Sequence, residues 1–82
     1  MRLTWYTKTN CGLCDEAWPH LRRAATVLRL DVTQVDIATD PALEARFGTQ
    51  VPVLAHQDEV LAEGAMTRWD VWRSVLSVRF PR

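Results

Sequence analysis

The chain is 82 residues long, 48% hydrophobic and 24% charged, which describes one small folded domain and excludes barrel enzymes and large nucleotide-binding folds. Ten basic residues balance ten acidic ones, so it lacks the basic excess of a nucleic-acid or anionic-membrane surface. No apolar run approaches the roughly 20 residues of a membrane span, and residues 2–7 carry no apolar signal core, so a cytoplasmic protein with reduced thiols is expected.

Residues 2–7 alternate Leu3 and Trp5 against Thr4 and Tyr6, the two-residue period of a strand. Thr9-Asn10 breaks that period, with Asn10 suited to cap a helix or to precede its cap. Ala17, Leu21, Ala24 and Leu28 then recur on one helical face, and Pro19 interrupts the helix interior. Residues 32–37 read as a second strand. Asp40-Pro41 starts a short helix through Leu43 and Phe47, ended by Gly48. Residues 51–55 form a third strand, residues 56–59 a tight turn and residues 60–62 a fourth strand, closed by Gly64. Thr67 caps a last helix, with Asp70 three positions on, and that helix is expected to pack Trp69, Trp72, Val75 and Leu76 on one side.

The order β-α-β-α-β-β-α predicts an α/β fold. Its opening strands are parallel through a right-handed crossover, and a hairpin follows near residue 57. Three helices flank a mixed four-stranded sheet, which uses all 82 residues without a long structureless loop.

The chemistry concentrates at Cys11-Gly12-Leu13-Cys14, which joins the first strand to the first helix and contains the only cysteines of the chain. Helical residues three apart bring their Cβ atoms to about 5–6 Å, close enough for two sulfurs to bond after a small adjustment. Gly12 is expected to relieve crowding there. Free N–H groups and partial positive charge at a helix start favour a thiolate over a thiol, against the repulsion of Asp15 and Glu16. Cys11, at the open end, is then the more exposed and acidic sulfur, and Cys14 the resolving one. Two other readings stay open: a pair of structural cysteines, and half of a metal site. His20 and His56 have no partner nearby in sequence and read as surface or partly buried histidines. Trp69 and Trp72 read as packing residues, and Asp58-Glu59 as a solvated hairpin tip.

The stretches 5–14 (Trp5-Tyr6-Thr7-Lys8-Thr9-Asn10-Cys11-Gly12-Leu13-Cys14), Val35-Asp36-Ile37 with Asp40-Pro41, and Phe47-Gly48-Thr49-Gln50-Val51-Pro52-Val53-Leu54 together resemble the short C-x-x-C glutaredoxin-like proteins of the thioredoxin-fold superfamily. Full thioredoxins differ by an additional N-terminal strand and helix and by a Trp before the first Cys, where this chain has Asn10. The resemblance implies a single glutaredoxin-like domain over residues 1–82, with a thioredoxin-like fold. It implies a thiol–disulfide oxidoreductase with a redox-active disulfide, serving cell redox homeostasis. Cys11 would be the nucleophile, Cys14 the resolving cysteine and Pro52 a cis-proline facing the disulfide. Lys8 would lie near the thiolate and the glutathione carboxylate, and the Val51 backbone would pair with glutathione or a bound peptide. Pro19 matches the helix kink of thioredoxins.

The implied partners are protein or small-molecule disulfides, with glutathione or a thioredoxin reductase as reductant. A resident cofactor, nucleic acid and membrane are not expected, and the protein is expected to be a monomer. The competing class is a binding module that holds an iron–sulfur cluster or metal through Cys11 between two subunits. Glutaredoxins carry Pro-Tyr between the cysteines, where this chain has Gly12-Leu13. They also carry a Gly-Gly pair and an Asp after the last strand, where this chain reads Glu63-Gly64-Ala65-Met66-Thr67. Those departures predict weak handling of glutathione.

Overall fold

A computed structural model describes residues 2–80. Strand β1 (Arg2–Thr7) leads into helix α1 (Gly12–Leu28). Strand β2 (Asp31–Asp36) follows, then a one-turn 3-10 helix at Ile37–Thr39 and helix α2 (Pro41–Phe47). Strands β3 (Val53–His56) and β4 (Glu59–Glu63) form a hairpin, and helix α3 (Arg68–Arg79) ends the described chain. The sheet order is β2-β1-β3-β4, with β1 parallel to β2 and antiparallel to β3, and β3 antiparallel to β4. This is the mixed four-stranded sheet with three α-helices that the residue pattern predicts.

The alternation of β1 and β3 assigns each side chain to a layer. Leu3, Trp5 and Leu54 face α1 and α3 and pack with Ala17, Leu21, Ala24, Val71 and Val75, all at 0–1% exposure. Tyr6 and Val53 face the opposite way, where Ile37 and Phe47 form a second, smaller core. The Tyr6 and Phe47 rings stack with centroids 4.6 Å apart. The sheet is therefore covered by α1 and α3 on one side and by the Ile37 turn and α2 on the other.

Helix boundaries follow local chemistry. Asp40 caps α2 by accepting the Ala42 N–H at 2.9 Å, with Pro41 at the first helical position. Thr67 and Asp70 close a reciprocal capping box on α3: the Thr67 hydroxyl accepts from the Asp70 N–H, and the Asp70 carboxylate accepts from the Thr67 N–H.

Four expectations are corrected. Ile37 leaves the second strand for the 3-10 turn, because Asp36 accepts the Ala38 N–H at 2.9 Å and so caps a turn at that point. The third strand begins at Val53 rather than residue 51, since the Val51 N–H is donated to Phe47 O at 3.1 Å instead of to the sheet. Gly48 does end α2, but with a right-handed φ of −54°. Its need is space, since a Cβ there would stand 2.5 Å from the Glu44 carbonyl oxygen. On α3, Val71 and Val75 are the buried residues, whereas Trp69 is 64% exposed and Trp72 is half-buried. Ala17 and Ala24 on α1 let α3 approach closely, and valines fill that narrow space where indoles would not.

Candidate functional site

β1 delivers the chain to a short loop, Lys8-Thr9-Asn10, that turns into α1. Asn10 adopts a left-handed φ of 62°, a conformation that its short side chain tolerates better than most. Cys11 rather than Asn10 is the helix cap. Its backbone is extended, and its Sγ accepts the Cys14 N–H at 3.1 Å. The Cys11 carbonyl accepts the Asp15 N–H at 3.1 Å, so the helix is hydrogen-bonded from its first turn.

Cys11 and Cys14 form a disulfide, with Cα atoms 5.2 Å apart. Cys11 is half-buried and Cys14 is 2% exposed, which gives the pair an accessible outer sulfur and a covered inner one. Leu13 projects outward at 43% exposure. Gly12 does not relieve crowding as expected, because a Cβ there would meet nothing within 4 Å. The helix also continues unbroken past Pro19 to Leu28.

The strand register brings further segments to this end of the sheet. Tyr6 pairs with Val53, and Val53 pairs with Glu63. The residues just beyond those pairs are Lys8 to Cys11, Val51-Pro52 and Gly64 to Thr67. The Val51–Pro52 peptide bond is cis. The Gly64 N–H is shared between Gln50 O at 3.0 Å and Pro52 O at 2.9 Å, tying the segment after β4 to the segment before β3. Gly64 has a φ of +72°, which suits its lack of a Cβ. The Val51 N–H is spent on Phe47 O at 3.1 Å. Glu63 is exposed at the end of β4.

Lys8 is placed by a residue that the sequence reading overlooked. Its Nζ lies 2.8 Å from Glu44 Oε1 on α2, with each side chain 39% exposed. The other Glu44 oxygen is enclosed and has no hydrogen-bond partner among the described residues. A link across 36 residues leaves no local pattern in sequence; the one hint was that Lys8 is the sole lysine. Thr9 is held similarly, its hydroxyl donating to Asp36 Oδ2 at 3.1 Å. Trp18 is half-buried, its ring tilted against Trp5 at 6.2 Å.

Among the described residues, no group of three or more His, Cys, Asp or Glu side chains is arranged to hold a metal ion. Nor is any helix long and apolar enough to cross a membrane.

Residues 2–77 match a family described as the glutaredoxin-like domain (DUF836). Among solved structures, target protein XcR50 from X. campestris superposes with a TM-score of 0.74 at 30% identity, over 89% of this chain and 93% of that one. Thioredoxin 1 from the thermophilic eubacterium Thermosipho africanus gives 0.69 at 16% identity, over 95% of this chain and 93% of its own. The germline-specific thioredoxin Deadhead from Drosophila melanogaster gives 0.68 at 19% identity, over 94% and 79% respectively. No curated protein matches the chain significantly in sequence. The fold is thioredoxin-like, and a cysteine pair at disulfide distance on the first helix of that fold points to redox function.

Proposed function

The chain belongs to the glutaredoxin-like domain family, and from that premise we propose that it is a thiol–disulfide oxidoreductase working through Cys11 and Cys14. The observation that carries this reading is the asymmetry of the pair. An accessible sulfur occupies the cap of α1, and a covered sulfur sits one turn inside.

In the dithiol form, the Cys14 N–H and the helix start stabilise a thiolate at Cys11. That thiolate attacks one sulfur of a substrate disulfide. The substrate S–S bond breaks, and its other sulfur leaves as a thiolate and takes up a proton. Cys14, once deprotonated, attacks the Cys11 sulfur of the mixed disulfide and releases the second substrate thiol. The two electrons gained by the substrate come from the Cys11–Cys14 pair, which ends as the internal disulfide. Glutathione or a thioredoxin reductase then returns two electrons. Pro52 and the Val51 carbonyl border the substrate from the β3 side.

Glutathione is a poor partner on this reading. The segment 63–67 lacks the Asp and second glycine expected at the γ-glutamyl end, and Glu63 places a negative charge before Gly64. Lys8 is neutralised by Glu44. Each missing charge-assisted hydrogen bond is worth about 1.5–3 kcal/mol, a loss of some tenfold to a hundredfold in affinity.

The test compares reduction of insulin disulfides with turnover of a small glutathione mixed disulfide. Insulin reduction with weak, unsaturated glutathione turnover supports the proposal. Absence of both activities, with the two thiols persisting under mild oxidant, would refute it.

A further inference from the structure

Away from the disulfide, a groove of about 860 Å³ runs between α1 and α3. α1 contributes His20 and Arg23 to it, and α3 contributes Arg68, Trp69, Trp72 and Arg73. A second hollow of about 420 Å³ adjoins it across Arg23, lined by Trp18, Pro19, Arg22 and Val27 among others. We propose that this continuous surface is the docking site for an acidic segment of a partner protein, anchored by an aromatic or large aliphatic side chain.

The charge is one-sided. Four arginines line the two hollows and no carboxylate does. Lys8–Glu44 is the one salt bridge among the described residues, so Arg22, Arg23 and Arg68 have no carboxylate partner there, and Arg73 has only the longer-range field of Asp70. Asp70, the carboxylate of α3, is committed elsewhere. It accepts from the Thr67 N–H and hydroxyl and lines a separate hollow, which Arg73 also borders.

The apolar component is exposed. Trp69 is 64% exposed and Val27 61%, both without cover from the fold. Arg68 lies over the Trp69 ring at 4.7 Å, a stacked pair that presents a flat face and an unpaired fork together. Carboxylates on the forks and an apolar anchor against the indoles would satisfy both.

The extent of the surface favours a peptide over a compact small anion. Along α1 alone it spans Trp18 to Val27, about 14 Å at the helical rise. A long polyanion such as nucleic acid fits less well, because the chain has zero net charge and the same two helices also carry Asp15, Glu16 and Asp70. A second copy is disfavoured by symmetry. The chain's own acidic and apolar segment, Asp58-Glu59-Val60, lies at the hairpin tip, and seating it in the groove of another copy is a heterologous contact rather than the two-fold contact that most dimers use.

Random 12-residue peptides displayed on phage would be selected on the oxidised wild-type protein. Counter-selection would use an Arg23→Glu/Arg68→Glu/Arg73→Glu variant, and hits would be measured by fluorescence anisotropy. The expected consensus places Asp or Glu around Trp, Phe or Leu. Affinity should fall at least tenfold in the triple variant and in Trp69→Ala, fall with added salt, and survive Cys11→Ser. Insulin reduction by the triple variant should match wild type, so the groove and the disulfide chemistry are judged separately. Trp69→Ala, with circular dichroism as the folding control, decides the matter if the triple variant misfolds. Peptides without carboxylates, or equal binding to the variants, would overturn the proposal. So would tighter binding of a 12-nucleotide single-stranded DNA, or self-association of the free protein that the arginine changes abolish.

Discussion

Cys11 caps α1 with its sulfur accessible, whereas Cys14 is covered one turn inside. On the proposed oxidoreductase reading, this asymmetry divides the pair into an attacking and a resolving thiol. Cys14→Ser should accumulate mixed disulfides with substrate, and Cys11→Ser should exchange nothing; mass spectrometry distinguishes the two. In the reduced protein, thiolate absorbance should titrate below the roughly 8.5 of a free cysteine, and Lys8→Ala should raise that midpoint modestly. A low midpoint lost in Cys14→Ser but retained in Cys11→Ser would reverse the roles. Lys8 carries a second expectation. Its bond to Glu44 is 39% exposed on each side, and exposed pairs of this kind are worth about 0.2–1 kcal/mol. Glu44→Gln frees the ammonium, so the KM for a glutathione mixed disulfide should fall by up to about fivefold while insulin reduction stays unchanged. An unchanged KM would remove Lys8 from the proposed glutathione contacts.

The helices show what local sequence encodes and what it leaves open. Asp40-Pro41 and the Thr67–Asp70 box are satisfied by neighbours within three residues, so the starts of α2 and α3 are legible without the fold. The Cys11–Cys14 site is legible for the same reason. The face of α3 is not, because both Val71/Val75 and Trp69/Trp72/Leu76 recur at helical spacing. Only the small Ala17 and Ala24 across the interface select the valines. Lys8–Glu44 depends on two elements meeting in space and is likewise hidden. The capping box makes a pH prediction. Hydrogen bonds from the Thr67 N–H and then its hydroxyl hold the Asp70 carboxyl below its ordinary value of 3.8, outweighing the opposing effect of desolvation, with Arg73 a lesser contributor in the same direction. A carboxyl depressed in the folded state stabilises it above the unfolded value, and that contribution is lost as pH falls through the folded one. Asp70→Asn should therefore lower the melting temperature at pH 7, and the gap to wild type should narrow below about pH 3.8. A gap independent of pH would show that the charge does not matter. At the other end of a helix, Gly48→Ala places a methyl 2.5 Å from the Glu44 carbonyl oxygen. The backbone must move, with a cost of about 1–3 kcal/mol, measurable by urea denaturation.

An 82-residue domain has roughly 4–12 kcal/mol of stability to lose, at about 0.05–0.15 kcal/mol per residue. Leu54 is fully buried between the sheet and the α1–α3 layer, so Leu54→Ala should cost about 2–5 kcal/mol, a large share of that total. The disulfide is a smaller contributor. Its cysteines are three residues apart, and cross-linking so short a loop removes little disorder from the unfolded chain, about 2 kcal/mol on the loop-closure account. The cores around Trp5 and Phe47 do not depend on the bond. The proposed cycle between disulfide and dithiol needs this arrangement, since both forms must keep Cys11 at the helix cap. Reduction should therefore lower the melting temperature by roughly 8–16 °C, at about 4–8 °C per kcal/mol, while leaving the near-ultraviolet circular dichroism of the tryptophans folded at 25 °C. Loss of that signal on adding dithiothreitol would mean that the cross-link holds the domain together, and a structural role for Cys11 and Cys14 would then replace the proposed catalytic one.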